Sequence, residues 1–248
     1  MHASFVTMAG AAGALSTLMV ASAASAEFIG ITWELVDPVG EGWTGGDDSY
    51  DTRALDTYRI YATFDDNNAR VQAVGAPFAL GPLTTTSTDG VFWNSASSAQ
   101  GDVPPVSDLP AVPGFRDLQC DSWVTIGSTT LTLAMRPLPS FYSQANGLTG
   151  DFTLSNTGWR MTDSFEQGDT VDSRVLVAQF TVAEGVGING DGWSITGWDD
   201  QADSTSQFLE SSSFRIPPIP APGAIALLGF AGLVGSRRRR STPTGPDR

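Results

Sequence analysis

With no lysine, one histidine and one cysteine, this chain must do any chemistry with carboxylates, arginines and aromatic rings. The histidine is His2, at the amino terminus, and the cysteine is Cys120. A Ser-His-Asp triad, a Cys-His dyad, a Schiff-base lysine and a histidine-ligated zinc or iron site are therefore not available to the body of the chain. No glycine-rich loop ends in Gly-Lys-Ser or Gly-Lys-Thr, so a phosphate cradle of that type is missing too. Cleavage of glycosides by two carboxylates is the one common hydrolytic mechanism left open. The glutamates after residue 27 are Glu34, Glu41, Glu166, Glu184 and Glu210. No two of them have a spacing that marks a catalytic pair, and the chain reads as a non-enzyme.

Acidic residues gather in three stretches. Asp47, Asp48 and Asp51 occupy a glycine-rich loop, Asp65 and Asp66 begin a hairpin turn, and Asn189, Asp191, Asp199, Asp200 and Asp203 surround Trp193 and Trp198. Calcium takes about six to eight oxygen ligands, which loops of Asp, Asn and backbone carbonyls supply. Residues 189 to 203 are the candidate calcium site, and calcium is the one cofactor the chain offers. Turn geometry alone also selects Asp and Asn, and none of the stretches has the alternating EF-hand spacing. Among the tryptophans, Trp43 in Gly-Trp-Thr-Gly-Gly-Asp-Asp has no apolar neighbours and is the candidate platform for a sugar ring. Trp93, Trp123, Trp159, Trp193 and Trp198 fit a core better. Thr130 and Thr132 make a single Thr-x-Thr step, too little for an ice-binding ladder. Cys120 reads as a buried, inert thiol.

The chain carries 27 acidic residues against 13 arginines, a net charge of −14. Five of those arginines lie beyond residue 219, so the segment before it is more acidic still. Such a surface stays soluble in saline media and repels nucleic acid. Strand signals recur at 28–36, 57–64, 70–74, 90–93, 122–135, 151–154, 174–182, 193–198 and 213–216, separated by Gly, Pro, Asp, Asn and Ser. Tyr58, Ile60, Ala62 and Phe64 alternate onto one strand face, as do Leu176, Ala178, Phe180 and Val182. Many short strands without helical periodicity predict an all-β domain over 27–216, a β-sandwich of jelly-roll or immunoglobulin-like type. Residues 97–113 predict a long Pro- and Ser-rich loop.

The two ends carry addresses. Residues 6–23 are almost all small or apolar, and Ala24-Ser25-Ala26 offers the small-x-small pattern of signal peptidase, so residues 1–26 read as a signal peptide leaving Glu27 first. The leader lacks a basic residue at its start, and the Sec translocon is the expected exporter. At the other end, residues 217–222 form a stiff proline spacer, and Ala221 to Gly235 hold no charge. A helix over 223–236 is about 21 Å long against roughly 30 Å of bilayer core, a marginal span. Arg237, Arg238, Arg239 and Arg240 hold its end on the cytoplasmic side, and residues 241–248 read as a disordered tail.

Pro220, Pro222 and Gly223, an apolar helix and an arginine cluster, in that order over 219–240, resemble the PEP-CTERM sorting signal, with Ala221 where that family has glutamate. A tail of this kind also goes by the name of ice-binding protein C-terminal domain, a name without ice-binding chemistry. The resemblance implies handling by an exosortase-like membrane enzyme, in bacteria that make extracellular polysaccharide. It implies location in the cell envelope, with release to the exterior after processing. Three roles stay open for the domain itself: a structural or adhesive component, a calcium-dependent carbohydrate binder, and a carboxylate glycosidase.

Overall fold

A computed structural model describes residues 25–37, 54–76, 80–95, 103–105, 116–132, 135–138, 140–162, 166–201 and 206–219. The chain there is all-β, built from antiparallel sheets. The smaller sheet has the order β1-β2-β9-β5, from β1 (Phe28–Val36), β2 (Leu55–Phe64), β9 (Arg174–Ala183) and β5 (Trp123–Val124). The larger sheet is built around β10 (Ile188–Trp198). Along one side of β10 runs β11 (Gln207–Ile216); along the other lie β4 (Leu83–Ser87) and β3 (Arg70–Gly75), one after the other. β7 (Phe152–Leu154) adds to β4, β8 (Gly158–Met161) to β3, and β6 (Met135–Pro137) to β8. Among the described residues one α-helix of five residues, α1 (Phe141–Ala145), departs from the expectation of a domain without helices.

Aromatic side chains from both sheets meet in one core. Phe180 of β9 lies 6.1 Å from Trp193 of β10, edge to face at 89°. Trp193 also packs on Trp159 at 5.5 Å and Phe214 at 5.3 Å. Each such ring contributes about 1.5–3 kcal/mol by leaving water. Its one polar atom is satisfied, since Trp193 Nε1 donates to Thr85 Oγ1 at 3.2 Å. Gly190 lies under the Phe214 ring, where a Cβ would come within 2.1 Å of a ring carbon.

Tyr58, Ile60, Ala62 and Phe64 face this core as expected, each at most 1% exposed. The turn that begins at Asp65 is not the expected hairpin, because β2 pairs with β1 and β9 while β3 pairs with β10 and β8 in the other sheet. The expectation for β9 needs correction at Leu176. Ile60 pairs with Ala178 but Tyr61 pairs with Leu176, so Val177 is an extra residue, a β-bulge. Alternation restarts there. Val175, Val177, Ala178, Phe180 and Val182 enter the main core, and Leu176 joins Tyr61 and Trp123 on the opposite face.

The predicted strand 122–135 is interrupted. Gly127 has φ +71°, and a Cβ there would fall 1.6 Å from the Gln167 carbonyl oxygen. Thr125 Oγ1 donates to the Ser128 carbonyl at 2.7 Å, closing a turn. Strand 90–93 shrinks to a bridge between Val91 and Gly150, whereas β10 and β11 begin earlier than predicted. Strands β4 and β8 carry no recognisable strand signal: Leu-Thr-Thr-Thr-Ser is polar like a loop, and Gly-Trp-Arg-Met is too short for alternation to register. Cys120 is 2% exposed. Among the described residues no helix is long and apolar enough to cross a membrane. The proposed span 223–236, the leader before residue 25 and most of loop 97–113 lie outside them.

Candidate functional site

The glutamates are scattered over separate elements. Glu34 is on β1, Glu166 in a 3-10 turn at Glu166–Gly168, Glu184 just beyond β9, and Glu210 on β11; Glu41 lies outside the described residues. Among the described glutamates, Glu34 sits in a built environment. It accepts hydrogen bonds from the Tyr61 hydroxyl and from Arg174 Nη1, the latter at 2.9 Å. The Arg174 guanidinium lies 4.2 Å above the Tyr61 ring. Burial pushes the Glu34 carboxyl up, but the Tyr61 hydroxyl and the Arg174 and Arg59 charges outweigh it and hold the group below its ordinary range. Burial, then the bond to Glu34, pushes the Tyr61 hydroxyl up to about 12. A carboxylate held ionised and a phenol held neutral suit a clamp better than proton transfer at neutral pH.

Many aspartates are engaged as backbone clasps. Asp65 accepts from the Glu27 amide at 2.7 Å, Asp66 from Asn68 at 2.7 Å, Asp151 from Ser87 at 2.8 Å and Asp56 from Gly185 at 3.0 Å. Asp89 bonds both the Ser87 hydroxyl at 2.9 Å and the Val91 amide at 3.1 Å. Asp169 pairs with Arg70, which lies beside Trp198. These bonds hold the turns between strands.

The candidate calcium residues are divided by β10. Asn189 and Asp191 oppose Thr86 and Thr84 near the start of the strand, whereas Asp199 and Asp200 follow its end. Eight strand steps separate Asp191 from Asp199, about 26 Å. The two ends cannot share an ion. Asp203 lies outside the described residues. At the Asp199 end, structure joins two acidic stretches that are distant in sequence, because Gln201 donates through its amide to the Asn68 carbonyl at 2.8 Å and through Nε2 to those of Asn67 at 3.0 Å and Ala69 at 2.9 Å. Among the described residues, no three His, Cys, Asp or Glu converge as metal ligands.

Trp123, Trp159 and Trp193 are at most 1% exposed and belong to cores. Trp43, the candidate sugar platform, is outside the described residues, as are Ala24, Pro220, Pro222, Gly223 and Arg237 to Arg240 of the two addresses. Threonines alternate outward at Thr84 and Thr86 on β4, with Thr153 beside Thr84 on β7, a threonine patch wider than Thr130 and Thr132.

One concave feature was not foreseen. Val74, Trp159 and Ile195 point into the core from adjacent strands, so their neighbours Ala73, Arg160 and Thr196 project from the other face of the larger sheet. Small side chains at Ala73, Gly75, Ser194 and Thr196 leave a cavity of about 240 Å³ there, walled by Leu138, Asn156, Thr157 and Arg160. Arg160 stands directly opposite Arg136 on β6, two cations together on an acidic protein. Beneath the cavity surface the Ser194 and Thr157 hydroxyls are buried without a partner among the described residues. The volume is below that of drug-sized pockets and admits a ligand of about monosaccharide size. No sequence signal marks it, since its floor is defined by what the side chains lack. Compared with known protein families, curated proteins and solved structures, the chain matches none.

Proposed function

We propose that this chain is an exported protein of the bacterial cell envelope whose β-sandwich domain has a non-enzymatic, structural or adhesive role. The Sec translocon and signal peptidase handle its leader, and an exosortase-like enzyme handles its tail. The observation that carries the non-enzymatic part is the use of the carboxylates. Glu34 is clamped by Tyr61 and Arg174, and Asp56, Asp65, Asp66, Asp89 and Asp151 bond backbone amides across turns. A glycosidase needs two carboxyl groups facing one cleft with one of them free to be protonated. The leader and the Pro-apolar-Arg tail support the envelope address.

The test is fractionation of cells producing the full chain or a variant with Arg237 to Arg240 replaced by serine, followed by intact mass of each product. Retention and carboxyl-terminal processing of the natural chain, with loss of both in the serine variant, is the expected result. Identical retention and processing of the two would sink the sorting role. Release of reducing sugar from envelope polysaccharide by the purified chain would sink the non-enzymatic one.

A second reading, carbohydrate binding, is favoured by the outer cavity, which Arg160 lines. Its guanidinium selects an anionic sugar such as a uronate. Saturation-transfer NMR with glucuronate and glucose checks it: signal from glucuronate that falls in Arg160→Gln supports a site, and equal signal in the variant removes it.

A further inference from the structure

We propose that the mature chain retains Ala26, the leader being cut upstream of it, after Ala23; this rests on the export reading above. Signal peptidase reads small side chains three residues and one residue before the cut. Two such sets follow one another here, Ala21-Ser22-Ala23 and Ala24-Ser25-Ala26. Pattern alone does not separate them, but only a cut after Ala23 leaves the folded domain every residue it packs. Ala26 is 3% exposed and belongs to the core shared by both sheets. Its amide donates to the Asp199 carbonyl at 2.8 Å, tying the approach to β1 to the end of β10. The next residue is bound twice to the β2–β3 turn: the Glu27 amide donates to Asp65 Oδ1 at 2.7 Å, and its carbonyl accepts from the Asp65 amide at 3.1 Å. Ala26 and Glu27 form one clasp between the turn that links the two sheets, from β2 to β3, and the end of β10.

A cut after Ala26 removes the half of the clasp that reaches β10. The methyl group leaves the core, and the Asp199 carbonyl loses its donor beside Asp199 Oδ1 and Trp198 Nε1, which are buried without partners among the described residues. The same cut turns the Glu27 amide into an ammonium group beside Asp65, but this pair is exposed, and exposed ion pairs stabilise little. It does not offset the lost burial and hydrogen bond. After a cut at Ala23, the new ammonium group is on Ala24, and exposed Ser25 separates it from the buried residue. The clasp then stays whole.

The experiment uses the full chain with its own leader in a Sec-competent bacterium, the exported product being weighed intact beside those of Ala26→Ser and Ala24→Leu. Serine is small enough for either cut. The expected product begins at Ala24, Ala26→Ser makes it heavier by one oxygen atom, and Ala24→Leu, now one residue past the cut, is processed like the natural chain. A product beginning at Glu27, unchanged in mass by Ala26→Ser and not formed in Ala24→Leu, overturns the proposal while leaving export intact. An exported chain that still carries Met1 removes the leader reading and the proposal with it.

Discussion

Glu34, Tyr61 and Arg174 show how single side chains here serve to lock rather than to react. The Glu34 carboxyl is held below its ordinary range, so its contribution to stability is present above the unfolded-state value and is lost as pH falls through the lower folded value. Thermal melts of the natural chain and Glu34→Gln should therefore differ at neutral pH and converge in strong acid. Tyr58 and Tyr61 behave in the opposite sense. Burial, then neighbouring Asp56 or Glu34, pushes each up to about 12, so folding favours the neutral phenol. Their contribution is complete below about pH 10 and lost between about 10 and 12. Tyrosinate absorbance should rise in two stages, with the later stage coinciding with loss of near-ultraviolet circular dichroism. Gly127 is a lock of another kind. Gly127→Ala must accommodate both a positive φ and contact with the Gln167 carbonyl, and should cost about 2 kcal/mol or more in denaturant unfolding.

Among the elements, β9 and β10 carry most of the organisation. The bulge at Val177 lets Leu176 face Tyr61 and Trp123 while Val175 still reaches the core, and it leaves Arg174 on the same side as Glu34. Deleting Val177 should remove the bulge and leave Ile60 opposite Ala178 and Tyr61 opposite Leu176, so that Arg174 to Leu176 keep their faces in an unbroken ladder. The expected result is a cooperative unfolding transition that survives at lower denaturant, since the buried Val177 side chain is lost, and loss of cooperativity would show that the bulge itself is required. Strand β10 works through Trp193, which touches aromatic rings from the smaller sheet and from β8 and β11 of its own. Trp193→Ala should destabilise the domain by about 3–5 kcal/mol, measured by urea titration against the natural chain.

For the whole molecule, charge is the dominant property. A net charge of −14 means that self-repulsion opposes the compact state. Melting temperature should rise as sodium chloride is raised from about 0.01 M to about 1 M, where the screening length falls to about 3 Å. Calcium and magnesium at equal ionic strength should give equal shifts, because Asn189 and Asp191 sit near one end of β10 and Asp199 and Asp200 follow the other. A calcium-specific rise, abolished by Asp191→Asn and Asp199→Asn together but by neither alone, would show that both ends bind.

By itself the sequence determined the fold class and the side chains that face the core wherever alternation ran uninterrupted. Tyr58 to Phe64 is legible because a period of two in a long strand depends only on local geometry. It also determined what chemistry is absent, since composition excludes histidine and lysine sites whatever the fold. Short or polar strands were not legible: β4 and β8 exist because β10 and β3 offer them ladder partners, and such pairing leaves no local mark. The same holds for the bulge at Val177, which corrects for a mismatch between two strands more than a hundred residues apart in the chain. Site geometry was decided by tertiary structure alone. Asp191 and Asp199 look like neighbours in sequence and are separated by the length of a strand, whereas Asp65 and Asp199 are distant in sequence and meet at Ala26 and Glu27. A strand carries consecutive residues apart at about 3.3 Å per step, and only the packing of sheets brings remote ones together.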